Sequence, residues 1–287
     1  GLNTGNEDIK KSFSARTGIR FNPQSSLMIS FNESVSSNIN GYNIDIRSTT
    51  RDYIGFGSYL SKGFPFSNWS FRVGGLEKIS FIKPYVSSMS LEHSFSGKQN
   101  LSWKFNEQGI MPINLFNISS FENGNDDYLQ FSRISRSFSP LIGISTTFNN
   151  GISTNLRSNI THTLDEVANG LTYISDNSIL ATLTYNFSKG IRFPLPFSER
   201  NIYLRNNMNI SLNLDFSNKT EEGSKDKINF VEQNFTNTQK SVLRITYTLT
   251  DDITGSLFYE YRQTDTRLTG RRIDRDFGIN LNVAIRG

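Results

Sequence analysis

Met208-Asn209-Ile210-Ser211-Leu212-Asn213-Leu214-Asp215-Phe216 alternates without a slip between apolar side chains and polar or charged ones. Successive side chains of an extended strand point to opposite faces, so period two gives this segment one greasy face and one wet face. The pattern returns at Ile179/Ala181/Leu183/Tyr185/Phe187, at Leu243/Ile245/Tyr247/Leu249 and at Phe277/Ile279/Leu281/Val283/Ile285. Dyad strands of about ten residues separated by turns are the signature of a transmembrane β-barrel. The expected fold is all-β: an antiparallel transmembrane barrel wall of about eleven strands.

The alternation assigns side chains to faces. Ile179, Leu183, Tyr185, Met208, Ile210, Leu212, Leu214, Phe216, Ile245, Tyr247, Phe277, Ile279 and Leu281 are expected to face lipid. Asn209, Ser211, Asn213, Arg244, Thr246 and Thr248 are expected to face a wet lumen. Composition fits such a two-faced wall. Mean hydropathy is −0.42 and hydrophobic residues make up 36%, yet there are 23 Phe and 11 Tyr. Alanine, the best helix former, occurs only at Ala15, Ala168, Ala181 and Ala284, which argues against long helices. Tyr185, Phe187, Phe216, Tyr247, Tyr259, Tyr261 and Phe277 fall near predicted strand ends, where aromatic girdles sit at the headgroup level.

No run approaches the roughly 20 apolar residues of a membrane helix, which does not exclude the membrane because closed barrels also satisfy every backbone group in lipid. Gly1-Leu2-Asn3-Thr4 carries no basic or apolar leader, so the expectation is a mature protein or a fragment. The net charge of +4 is dispersed, with basic doublets only at Lys10-Lys11 and Arg271-Arg272, and nucleic-acid binding is rejected.

Strands are expected at about 276–286, 253–263, 241–250, 202–217, 177–188, 151–162, 128–148, 86–105, 43–62, 26–36 and 12–21. Asn149-Asn150-Gly151, Asp251-Asp252 and Asn22-Pro23-Gln24 read as tight turns. Polar stretches at about 106–127, 163–176, 218–240 and 263–275 read as long external loops. In outer-membrane barrels the turns are periplasmic and the loops external, which puts the C-terminus on the periplasmic side. Residues 63–86, with Pro65, Trp69 and Gly74-Gly75, break the strand rhythm and read as an elaborated periplasmic connection within a single barrel segment, 1–287. An odd count of eleven departs from the even number of complete bacterial barrels, so the segment is expected to be part of a larger barrel.

Phe66-Ser67-Asn68-Trp69 through Gly75-Leu76, then Lys83 and Ser90-Leu91-Glu92-His93-Ser94-Phe95, resembles the C-terminal barrel region of the SprA/Sov family. Phe138-Ser139-Pro140-Leu141-Ile142-Gly143-Ile144, continuing through Asn149-Asn150-Gly151-Ile152, is similar to another piece of that region. The likeness spans roughly residues 60–287 and rests on Asn68, Trp69, Gly75, Leu76, His93, Pro140 and Leu141. That family is the outer-membrane translocon of the type IX secretion system of Bacteroidetes and related phyla, with gliding motility as an associated process. The resemblance implies a very large single-chain barrel, a protein-conducting lumen, a lateral opening occupied by a partner barrel, and a periplasmic plug. Its implied partners are the lipid bilayer, lipopolysaccharide and translocated proteins.

Catalytic chemistry finds little footing in the sequence. With only His93 and His162 and no cysteine, no metal site and no cofactor is expected. Ser94 follows His93 directly, and adjacent strand residues point apart, so they cannot form a nucleophile–base pair. His162 is expected to be exposed, and no Gly-x-Ser-x-Gly elbow occurs. The chain is therefore expected not to be an enzyme. The leading expectation is a bacterial outer-membrane barrel segment of a protein-secretion translocon. Two alternatives stay open: a self-contained outer-membrane channel or adhesin, and a secreted soluble β-sandwich or β-solenoid binding protein.

Overall fold

The computed structural model describes residues 6–40, 43–104, 129–167, 170–187, 191–194, 201–204, 206–250 and 252–284. Its strands are β1 (Asn6–Asn22), β2 (Ser25–Asn40), β3 (Asn43–Phe56), β4 (Lys62–Pro65), β5 (Asn68–Gly74), β6 (Val86–Lys104), β7 (Leu129–Phe148) and β8 (Ile152–Val167). They continue as β9 (Gly170–Phe187), β10 (Ile191–Pro194), β11 (Asn201–Leu204), β12 (Met208–Ser224), β13 (Val231–Thr250), β14 (Ile253–Thr266) and β15 (Gly270–Val283). Thirteen of them form one antiparallel sheet, and β10 pairs with β11 apart from it. Many strands run well beyond the usual five or six residues of globular sheets, β7 and β13 reaching 20.

Twelve of the thirteen, all but β4, fill eleven wall positions, in the order β1, β2, a shared third position, β6, β7, β8, β9, β12, β13, β14 and β15. The third position is split. Its upper part is β3, paired with β2 and with β6 through Ile46–Asp52; its lower part is β5, paired with the same two neighbours through Asn68–Gly74. Both run antiparallel to β2 and β6, so they share one direction. Between them the chain leaves the wall and folds as a hairpin, in which Tyr53–Phe56 pairs with β4. A single-layer wall has little core of its own. Among the described residues the two fully buried large side chains, Phe95 and Leu60, lie where this hairpin folds back on the sheet.

Two expectations about the connections are corrected. Residues 68–74 are not part of a connection but a wall strand, and only 75–85 links β5 to β6. That link lies at the end of the wall with the tight turns: Gln24 O accepts the Gly74 amide at 3.0 Å, and Asn149 Nδ2 donates to Pro84 O at 2.8 Å. The stretches 163–176, 218–240 and 263–275 are not long loops either. They are mostly strand, and the described links shrink to the residues between Ser224 and Val231 and to Arg267-Leu268-Thr269. Their polarity misled the reading: both faces are wet there, so apolar alternation stops, while the backbone ladder continues, as at Asn218↔Asn177 and Asn218↔Asn237. The expected loop 106–127 lies outside the described residues.

Candidate functional site

Antiparallel pairing puts directly opposed residues on the same face, so register extends the two faces of Met208–Phe216 across the sheet. Ile210 opposes Tyr185 and Ile245; Ile245 opposes Leu257, which opposes Ile279. In the other direction Leu214 opposes Ala181, then Leu156, Ile144, Leu91 and Val73 follow. Trp69 opposes Ile29, and Phe71 opposes Leu27, which opposes Ile19 of β1. One apolar band thus crosses all eleven positions.

The other face is wet and ionic. Glu92 meets Arg157 at 3.1 Å and Arg72 at 3.6 Å, Arg133 binds Asp165 through two bonds of 2.6 and 2.7 Å, and Glu260 holds Lys240 and Arg262. Register places all of these pairs opposite the band. A cavity of about 790 Å³ on this face is lined by strands from β1 (Arg20) to β9 (Thr184), so the wet face is concave there.

The sequence-assigned residues fall on these faces as follows. Ile279, Phe277 and Leu281 are 71, 65 and 62% exposed, and Ile179, Leu183 and Phe216 are also exposed. Tyr185, Ile210, Leu212, Leu214, Ile245 and Tyr247 are half-buried on the same face, and Met208 is buried between Phe187 and Tyr247. On the wet face Asn209 opposes Thr246 and donates to Asn186 Oδ1 at 2.5 Å. Ser211 opposes Arg244, whose guanidinium lies over the Phe258 ring, while Asn213 opposes Val242 and Thr248 opposes Thr254.

Five of the seven residues that carry the family resemblance, Asn68, Trp69, His93, Pro140 and Leu141, converge. At the break between β3 and β5 the wall would leave two backbone donors unpaired, and side chains take their place. Asp52 Oδ2 accepts the Asn32 amide at 2.8 Å, and Asn68 Oδ1 accepts the Gly97 amide at 2.8 Å. Trp69 stacks on Phe95 with centroids 4.1 Å apart, and Phe95 touches Phe138. His93 lies between Trp69 and Phe138, and its Nδ1–H donates to the Leu141 carbonyl at 2.6 Å. That carbonyl is free because β7 bulges between Phe138 and Ile142, where Pro140 has no amide to offer a ladder. Ser94 Oγ donates to Ser139 O at the same bulge. Gly75 and Leu76 stand apart at the lower end of β5, where Gly75 takes the left-handed φ of +80° that starts the turn Leu76–Lys78.

Sequence reasoning missed the hairpin. Gly97 is its seat: a Cβ there would lie 1.9 Å from Tyr53 O. Gly55 likewise lets the hairpin close on Ile134, and Arg136 donates to Gly55 O at 3.3 Å. At the tip Tyr59 and Leu60 both take φ of +55°, a strained region for such residues. That turn buries Leu60 and stacks the Tyr59 ring on Phe230 at 3.8 Å, with Tyr173 edge-on at 5.0 Å. The Tyr59 hydroxyl also lies near the Glu222 carboxylate. His162, expected to be exposed, is instead half-buried with Nδ1 against the Tyr173 hydroxyl. No group of three or more potential metal ligands occurs among the described residues.

No family model and no curated protein matches this chain. Among solved structures it is similar to a loop L8 deletion mutant of OmpT, an outer membrane protein of Vibrio cholerae, at 8% identity and a TM-score of 0.29 over 97% of both chains. A likeness of that degree carries no argument about activity. The expectation that the chain is not an enzyme is withdrawn: one of its grounds, an exposed His162, does not hold, because the wall sets that ring half-buried against the Tyr173 hydroxyl.

Proposed function

We propose that this chain is a stretch of bacterial outer-membrane barrel wall and that it serves a protein-secretion translocon. The apolar band, continuous from Ile19 on β1 to Ile279 on β15, carries the membrane reading. Met208–Phe216 has the 9–11 residue span that a tilted strand needs to cross a bilayer core. A soluble sandwich would bury such a face under a second sheet, whereas the described residues form one large sheet and an isolated two-stranded pair. The ionic concave face suits a water-filled lumen.

The wall also argues for further strands. Among eleven alternating positions the first and last run the same way, so β1 and β15 cannot join as antiparallel neighbours. Closure takes an odd number of additional strands, which fits the larger barrel that the family resemblance implies. The convergence of Asn68, Trp69, His93, Pro140 and Leu141 at one seam supports that resemblance. We place the tight turns and the C-terminal end of β15 on the periplasmic side; a partner barrel and a periplasmic plug remain implications of the family.

Depletion of the protein in the cells that make it tests the reading. Secreted proteins are expected to accumulate in the periplasm while other outer-membrane proteins stay in place. Unchanged secretion with reduced uptake of small solutes would overturn the translocon reading in favour of a self-contained channel. Recovery of the protein in the soluble fraction would overturn the membrane reading as well.

A further inference from the structure

The hairpin between Asp52 and Asn68 has two unlike sides. Tyr53, Gly55 and Gly63 face the wall: a Cβ on Gly55 would lie 2.9 Å from Ile134 of β7, and the missing side chain of Gly63 leaves room for the Tyr53 ring to lie between hairpin and wall. Pairing puts Ile54 with Phe64, and Phe56 with Lys62, on the side turned away from the wall. There Phe56 and Phe64 are 41 and 48% exposed, and Phe66 beside them is 43% exposed. These rings form a row: Phe56 to Phe64 at 6.1 Å, Phe64 to Phe66 at 5.7 Å, and Phe66 to Trp69 at 6.0 Å. Trp69 belongs to the apolar band, so the row continues the band from the wall onto the hairpin.

We infer that this hairpin is a bilayer-boundary anchor, with Phe56, Phe64 and Phe66 seated among lipid headgroups and upper acyl chains and Lys62 beside the headgroup phosphates. The inference rests on the membrane reading above. Three observations favour lipid over a protein occupant. The row is continuous with the band rather than separated from it by a polar rim. It lies on the face opposite the concave, ionic one. Its make-up of aromatic rings plus one exposed lysine is that of side chains with an apolar body and a wet neighbour, which favour the headgroup level. The strained tip fixes the depth: stacking Tyr59 on Phe230 ties the hairpin to the β12–β13 link, so the rings cannot swing away from the wall.

This chain has no cysteine of its own, and with any cysteine elsewhere in the full-length protein replaced by serine, single-cysteine spin labels report cleanly. Labels at Phe64→Cys and, in a second variant, Phe56→Cys would be compared with Ile279→Cys on the band and Asn213→Cys on the wet face, in the full-length protein in outer-membrane vesicles. Collisions with oxygen are expected to exceed those with a water-soluble nickel chelate several-fold at Ile279, and by a smaller factor at Phe64 and Phe56. The order should reverse at Asn213. If Ile279 favours oxygen while both hairpin labels favour nickel, the hairpin is in water and the inference falls alone. If both hairpin labels are shielded from both reagents, a protein covers them and the inference also falls. If Ile279 itself favours nickel, the membrane reading fails and takes the inference with it.

Discussion

Asp52 Oδ2 accepts both the backbone amide of Asn32, at 2.8 Å, and the Nδ2 of the same residue, at 3.0 Å. Asp52 is 3% exposed, so the bond bridges the gap in the third wall position where no ladder partner exists. Asp52→Ala takes the charged acceptor from the Asn32 amide in a partly buried bond, and a loss of about 1–3 kcal/mol is expected. Chemical denaturation of the refolded protein checks this, with Asn32→Ala as a poor substitute because it keeps the amide. An unchanged midpoint for Asp52→Ala would show that water fills the gap.

Gly97 carries the opposite kind of constraint. A methyl group there meets the Tyr53 carbonyl at 1.9 Å and the Phe95 ring at 2.8 Å, and the first contact is with backbone that cannot rotate away. Gly97→Ala is therefore expected to lift the hairpin from the wall while the long strands stay paired. Proteolytic cutting within residues 53–67 should rise several-fold relative to the parent protein. Equal cutting rates would mean that the hairpin does not rest on β6.

Some of this was legible in the sequence and some was not, for physical reasons. The band could be read from Met208–Phe216 because a strand with one apolar and one polar face must alternate strictly. Once strands leave the apolar layer that constraint ends. Asn218, Asn177 and Asn237 are held by ladder bonds and by an Asn218 Nδ2 to Asn237 Oδ1 bond of 2.6 Å, none of which leaves a periodic mark. Trp69, Phe71 and Val73 of β5 do alternate, but Pro65 before them and Gly74-Gly75 after them drew the reading toward an irregular connection. The seam joins β5, β6 and β7 through register and a bulge, and neither can be read from one strand alone.

The connection between β12 and β13 is acid-sensitive by construction. Asp226 Oδ1 accepts the backbone amides of Asn229 at 2.8 Å and Ile228 at 3.0 Å, and Asn229 Nδ2 and Ser224 Oγ add further bonds. These donors, the Asn229 amide foremost, hold the Asp226 carboxyl well below its ordinary value of 3.8. A depressed folded value means that the stabilisation is complete above the unfolded value and is lost as pH falls from there toward the folded one. Hydrogen-exchange protection at Ile228 and Asn229, corrected for intrinsic rate, should therefore hold above about pH 4 and decline below it. Asp226→Ala should remove it at every pH, and persistence of protection in that variant would refute the account.

Leu212 and Asn213 are neighbours in sequence on opposite faces of β12, so a charge at each separates lipid from lumen. Leu212 lies mid-band, opposed by Leu183 and Leu243, and Leu212→Arg is expected to cost about 2–4 kcal/mol if that face meets the bilayer midplane. Asn213, opposed by Thr182 and Val242, looks onto the wet side, where Asn213→Arg should change stability by less than about 1 kcal/mol. Folding yield into lipid vesicles and abundance in the outer membrane both read this difference. Equal tolerance at the two positions would mean that the band is covered by protein rather than lipid, and a greater loss at Asn213 would reverse the assignment of faces.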